Sequence, residues 1–173
     1  KNNICLCMAL LITGGLGFIG SNFINYYFDI MPKDMILINI DKMYYCAKET
    51  NVRPEIRNHE RYVFVKGDIK NEEVISGLLQ TYNVTKVIHF AAQSHVQNSF
   101  EDSLKFTDDN ICGTHTLLEC CRKYGTIQRF VHVSTDEVYG ESMTELTELP
   151  KTEHSILCPT NPYAATKASA ELL

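Results

Sequence analysis

The chain has 173 residues, 45% of them hydrophobic, which is enough to bury one sizeable core, so one domain or a large piece of one is expected. A net charge of −5 without a basic cluster gives no reason to expect nucleic acid or an anionic membrane surface as a partner. No run of about 20 apolar residues is present to span a bilayer, and seven cysteines, an odd number with Cys120 and Cys121 adjacent in a helix-like stretch, read as reduced thiols of a cytoplasmic protein.

In chain order, "ICLCMALLI" runs straight into a glycine-rich turn and reads as a buried strand, with "MALLIT" as its core, rather than as the apolar part of a signal peptide. Cys5 and Cys7 point the same way from that strand, but no CxxC or suitably spaced His-Cys set accompanies them, so no metal site is expected. "FIGSNFINYYFDI" reads as a helix with Ile19, Phe23 and Tyr27 along one face and Pro32 closing it. "MILINI" and "RYVFVKG" follow as strands two and three, "NEEVISGLLQTY" as a helix, and "KVIHFA" as strand four. A long helix over roughly residues 103 to 123 precedes "RFVHVS" as strand five, and a long irregular stretch runs from about Glu141 to Asn161. Continuous β-branched runs separated by helices imply a parallel sheet covered on both faces, a Rossmann-like doubly wound α/β domain over residues 1–173. Five strands, no initial methionine and an end at Leu173 inside a helix suggest the N-terminal part of a longer enzyme, truncated before a C-terminal substrate lobe.

The chemistry is carried by three stretches. "TGGLGFIG" places Gly14, Gly17 and Gly20 between strand one and helix one, where glycine allows a tight turn and close backbone approach to a pyrophosphate held at the helix N-terminus. Asp41 ends strand two 21 residues after Gly20, where an acid accepts hydrogen bonds from both ribose hydroxyls and repels a 2′-phosphate, favouring NAD+ over NADP. In a bland alternative Asp41 only terminates the strand.

In "NPYAATKASAELL", Asn161 is a cap and Pro162 fits the first helical position, which sets Tyr163 and Lys167 at i, i+4 on one face. The helix dipole and the lysine ammonium are expected to lower the tyrosine pKa and make a general base. Finally, "STDEVYG" places Asp136 and Glu137 side by side where strand five ends. Adjacent carboxylates favour separated pKa values, as a paired acid and base require.

Together with "NIDKMYYCA", "GDI", "HFAAQSHV" and "FTDDNICGTHTLLE", these motifs cover nearly the whole chain, which resembles the extended short-chain dehydrogenase/reductases and, within them, the nucleotide-sugar 4,6-dehydratases acting on dTDP-glucose or UDP-glucose. The resemblance implies NAD+ as cofactor and a nucleotide sugar as substrate. Tyr163 would take the C4 hydroxyl proton, Lys167 tune it and hold the nicotinamide ribose, and Thr135 hydrogen-bond the C4 oxygen. Glu137 would then remove the C5 proton while Asp136 protonates the departing C6 hydroxyl, and hydride returns to C6. Phe18 and Ile19 would cover the pyrophosphate, Asp41 and Lys42 hold the adenosine ribose, and Asp68 and Ile69 the adenine. Phe90, Ala91, Ala92 and Ser94 would line the nicotinamide side, with Ser94 also near the sugar and His95 structural.

Two positions depart from the family pattern. Gln97 stands where an acid is usual, and Asp109 precedes Asn110 where Thr is usual, placing an extra negative charge near the cofactor. Competing readings are a 4-epimerase or decarboxylase, which has no use for the acid pair, and a non-catalytic NAD-binding module. Homodimerisation through the long helix and the tyrosine-bearing helix is a further implication of the resemblance.

Overall fold

The computed structural model describes residues 8–141 and 150–173, so the reading of Cys5 and Cys7 and part of the irregular stretch lie outside the described residues. The chain divides into two compact units, one of Lys1–Ala91 with Thr116–Val133, the other of Ala92–His115 with Ser134–Leu173.

The first unit holds a five-stranded, wholly parallel sheet: β1 (Ala9–Thr13), β2 (Ile36–Asp41), β3 (Tyr62–Lys66), β4 (Val84–His89) and β5 (Arg129–His132), in the order β3-β2-β1-β4-β5. Every residue of the central strand β1 is buried, which is why its sequence reads as an unbroken apolar run instead of alternating. Alternate side chains serve opposite faces. Leu11, Ile38, Ile40 and Val87 pack with Ile75 and Leu79 of α3 (Glu72–Thr81) and with Leu117, Cys120 and Cys121 from further along the chain. Leu10, Ile12 and Leu37 pack with Ile24 and Phe28 of α1 (Phe18–Ile30). Full burial of each aliphatic side chain stabilises the fold by roughly 1.5–3 kcal/mol. The start of α3 is fixed by Asn71, whose side chain accepts from Val74 N, and by Glu72 and Glu73 facing the positive end of the helix dipole. A short helix not expected from the sequence, α2 (Pro54–Arg57), carries Ile56 into the α1 side of the core.

Helix α1 has the expected bounds but is turned from the expected face. Its buried residues are Gly20, Ser21, Ile24 and Phe28, while Ile19 is 61% exposed and Phe23 and Tyr27 only flank the core. The cause is Gly20, at which a Cβ would run into the carbonyl oxygen of Gly14 and the backbone of Gly15. Close backbone packing therefore sets the helix rotation, and a glycine contributes nothing to an apolar periodicity.

The second unit contains α4 (Val96–Glu101), also not expected, and α5 (Ser103–Phe106), which runs on through a π-helical segment (Thr107–Cys112) into α6 (Gly113–Tyr124), whose residues from Thr116 onward belong to the first unit. The predicted long helix is thus helical throughout, with a widened middle. Asn110, 1% exposed, uses that segment to accept from Gln93 N (2.7 Å) and to donate to Gln93 O (3.0 Å) and Thr166 Oγ1 (2.9 Å). The carbonyl of Asn110 is taken by the Thr114 hydroxyl at 2.6 Å. The unit is completed by a 3₁₀ turn (Asp136–Tyr139) and α7 (Pro162–Glu171). Among the described residues no helix is long and apolar enough to cross a membrane.

Candidate functional site

In the first unit the turn after β1 is held from below by polar groups buried in an apolar sheet. Asn39, fully buried in β2, accepts from Gly15 N at 3.1 Å and donates to the Tyr62 hydroxyl at 2.9 Å. Asp41 accepts from Leu16 N through Oδ2 (2.9 Å) and from Met43 N through Oδ1 (2.7 Å), so it braces the glycine turn as well as ending the strand. A carboxylate has about four lone-pair positions, which leaves acceptor capacity for a diol. Thr13 Oγ1 lies 2.6 Å from His89 Nδ1 and accepts from Ala91 N at 3.2 Å, tying the ends of β1 and β4 together.

The glycines of the turn have different reasons to be glycine. Gly14 has φ +70°, and a Cβ would sit 2.6 Å from the backbone of Ala91. Gly15, not singled out from the sequence, would drive a Cβ into Asn39 and Ile24. Gly17 is the N-cap of α1 with φ −73°, and a Cβ there would meet nothing nearer than 3.5 Å. The protein itself makes no demand for glycine at that position. A backbone without a side chain at the N-terminus of α1 leaves room for a phosphate group to approach, which a dinucleotide pyrophosphate would use. Phe18, 81% exposed, and Ile19 stand at the same helix start and offer an apolar cover.

Lys42 pairs with Asp68 at 2.7 Å and lies over the Tyr44 ring at 4.8 Å. Asp68 also accepts from Lys70 N at 3.0 Å. Ile69 is 9% exposed and packs in the core, so only its backbone is available to a base. The Phe90 ring packs 5.5 Å from that of Phe23 on the α1 side of the core. Met43, with φ 61°, is in a left-handed conformation that no feature of the sequence announces.

The second unit gathers the other predicted residues. Asn161 caps α7 by accepting from Ala164 N at 2.8 Å, Pro162 occupies the first turn, and Tyr163 and Lys167 are 8% and 3% exposed on the buried side of the helix. Thr135 starts the 3₁₀ turn: its Oγ1 accepts from Glu137 N at 3.3 Å, and its single proton can go either to Asp136 Oδ1 at 3.3 Å or to the Tyr163 oxygen. Asp136 is exposed, whereas Glu137 is half-buried and accepts from Asn161 Nδ2 at 2.8 Å. Gly140 closes the turn with φ +84°, close against the carbonyl of Cys158.

The Tyr163 pKa moves opposite to the direction expected from its motif. Burial raises the Tyr163 pKa above 10.0; the hydrogen bond with Thr135 opposes this, and the charges of Glu137 and Asp136 add to it. Burial likewise drops Lys167 from 10.5 to about 8, partly opposed by Glu171 one turn on. Desolvation is the largest cause of both shifts, and the Lys167 ammonium is not among the causes acting on Tyr163. Of the two departures, Asp109 accepts from Gln93 Nε2 at 3.1 Å and pairs with Lys105 at 3.5 Å, so its charge is compensated locally. Gln97 is exposed, as are Ala92 and Ser94, and His95 caps α4 by accepting from Asn98 N. That last contact agrees with a structural role for the histidine.

A parallel sheet in this order, with a glycine turn leaving its central strand for a helix N-terminus and an acid ending the next strand, defines a Rossmann-like domain of the extended short-chain dehydrogenase/reductase class. The chain belongs to the family described as GDP-mannose 4,6 dehydratase, whose model matches residues 11–173. It is 48% identical over 164 residues to a trifunctional UDP-glucose 4,6-dehydratase/UDP-4-keto-6-deoxy-D-glucose 3,5-epimerase/UDP-4-keto-L-rhamnose-reductase of Arabidopsis thaliana, covering 95% of this chain and 24% of that protein. It is 42% identical over 171 residues to a dTDP-D-glucose 4,6-dehydratase of Dictyostelium discoideum, covering 95% of this chain and 39% of the relative. Among solved structures, the dTDP-glucose 4,6-dehydratase of Streptomyces venezuelae, crystallised with NAD, superposes with a TM-score of 0.86 at 40% identity, covering 95% of this chain and 50% of that one. A UDP-glucose 4-epimerase of Thermotoga maritima gives 0.81 at 30% identity, covering 95% and 49%. The chain therefore spans at most half the length of these relatives.

Proposed function

We propose that the protein of which these residues are part is an NAD-dependent lyase that dehydrates a nucleotide hexose, dTDP-glucose or UDP-glucose, to the 4-keto-6-deoxy sugar. The observation that carries this reading is the turn of Thr135, Asp136 and Glu137 beside Tyr163: a hydroxyl hydrogen-bonded to the tyrosine, followed directly by two carboxyl groups in unlike surroundings. When bound, NAD+ would supply the reversible two-electron acceptor that this redox-neutral dehydration needs.

The residues divide the remaining work. Gly14, Gly17 and Gly20 with Phe18 and Ile19 receive the pyrophosphate, Asp41 and Lys42 the ribose, Asp68 and Ile69 the adenine, and Phe90, Ala91, Ala92 and Ser94 the nicotinamide side. Tyr163, ionised with its phenolate stabilised by the ammonium of Lys167, takes the proton of the C4 hydroxyl and becomes neutral as C4 is oxidised to the ketone. The ketone at C4 acidifies C5. Glu137 then takes the C5 proton, the C–H electron pair becomes the C5–C6 double bond, the C6–O bond breaks, and Asp136 gives its proton to the leaving hydroxyl so that water departs.

A 4-epimerase would use Tyr163 and the cofactor but leaves Asp136 and Glu137 without a task, and the epimerase likeness is lower at 30% identity. Support for a homodimer comes from exposed Phe100 and Leu104, at 60% and 80%, and the free thiols of Cys46, Cys112, Cys120, Cys121 and Cys158 suit a cytoplasmic location. The test is Glu137→Gln in the full-length protein under single-turnover conditions: NADH should accumulate without dehydrated product. Equal loss of NADH and product would contradict the division of roles.

A further inference from the structure

We propose that Asn161 is a positioning residue for elimination, holding the carboxylate of Glu137 in place and the helix of Tyr163 in register with it. The proposal rests on the reading of Glu137 as the base. The Asn161 amide is used at both ends: Oδ1 accepts from Ala164 N at 2.8 Å, and Nδ2 donates to Glu137 Oε2 at 2.8 Å. Its orientation is not free, because the Ala164 N–H can only donate and must meet the oxygen, which leaves the NH₂ group for the glutamate. Oε2 must then be an acceptor.

Glu137 is thereby fixed at two points, its backbone N–H by Thr135 Oγ1 and its side chain by Asn161. Oε1 makes no hydrogen bond among the described residues and is left for a proton acceptor's work. The same amide caps α7 two residues before Tyr163, so one side chain sets both the residue assigned to oxidation and the residue assigned to elimination. A cap needs only an oxygen; aspartate and serine meet that need about as well as asparagine. The amide donor is what the cap leaves unexplained.

This difference permits a test that separates positioning from folding, made in the full-length protein with NAD+ and dTDP-glucose or UDP-glucose. Asn161→Asp keeps the cap and offers Glu137 only an acceptor; Asn161→Ser keeps the cap and withdraws the amide. Single-turnover absorbance should show NADH formation within about threefold of the unsubstituted rate, while quenched samples show elimination slowed about a hundredfold in Asn161→Asp and about tenfold in Asn161→Ser, the range that small misplacements produce.

Thermal melting gives a readout independent of activity. Asn161→Asp should lower Tm, and adding Glu137→Gln should restore it, because an amide at 137 can donate to the new carboxylate. Elimination at the unsubstituted rate in Asn161→Asp, equal slowing of both steps, or additive changes in Tm would each overturn the proposal. Glu137→Gln alone separates the two possible failures. If it eliminates normally, the base assignment falls and the proposal with it. If it blocks elimination while Asn161→Asp does not, only the positioning role is lost.

Discussion

Lys167→Met removes an ammonium that is 3% exposed and whose pKa burial holds at about 8, against 10.5 in the unfolded chain. The free-energy gap between those two values, with the opposing charge of Glu171 already included, is about 3 kcal/mol as an order of magnitude. The sign follows from proton counting. Below pH 8 the lysine is protonated in both states and the folded protein bears the whole cost of burying it. Between about 8 and 10.5 the unfolded chain binds more protons than the folded one, so stability rises with pH until the cost has gone.

Methionine has no proton to lose and a similar length. Urea denaturation of both proteins, without cofactor, at steps from pH 7 to pH 10 should therefore find Lys167→Met ahead by about 2 kcal/mol at pH 7 and most of that lead lost by pH 10. Curves that stay parallel across the range would refute the buried, depressed lysine, whatever their separation. If the proposed roles hold, the cofactor-free protein would lose above pH 8 the cation that stabilises ionised Tyr163.

The two glycines of the turn should separate fold from binding. Gly14→Ala, with φ +70° and a Cβ 2.6 Å from Ala91, should cost about 2 kcal/mol or more in thermal denaturation. Gly17→Ala should lower Tm far less than Gly14→Ala, by no more than the loss of a glycine N-cap, yet weaken NAD+ binding about tenfold by calorimetry, since nothing in the protein opposes its Cβ. Asp41 predicts NAD+ binding at least about tenfold tighter than NADP in titration, and Asp41→Asn should narrow that ratio by removing the charge that repels a 2′-phosphate.

The parallel sheet was legible because buried strands leave unbroken apolar runs, and the bounds of α1 because a glycine turn and Pro32 flank it. The rotation of α1 was not, since it is set by Gly20 against the Gly14 carbonyl, a contact with no hydrophobic signature. The polar residue Asn39 between Ile38 and Ile40 was a readable sign of a buried network, with Tyr62 as the partner that only tertiary structure supplies. The spacing of Tyr163 and Lys167 put them correctly on one buried face, but the same burial reverses the expected tyrosine pKa, and burial depth is not written in a motif. The bond from Asn161 to Glu137 joins residues 24 apart across an irregular stretch, where no periodicity links them.

The most direct test of the proposed reaction is isotopic. Full-length protein given NAD+ and a nucleotide glucose deuterated at C4 should release a product lighter by one water, with the deuterium in the C6 methyl group by mass spectrometry and NMR. A product of unchanged mass inverted at C4, one that has lost carbon dioxide, or NAD+ binding with no turnover of either dTDP-glucose or UDP-glucose would contradict it.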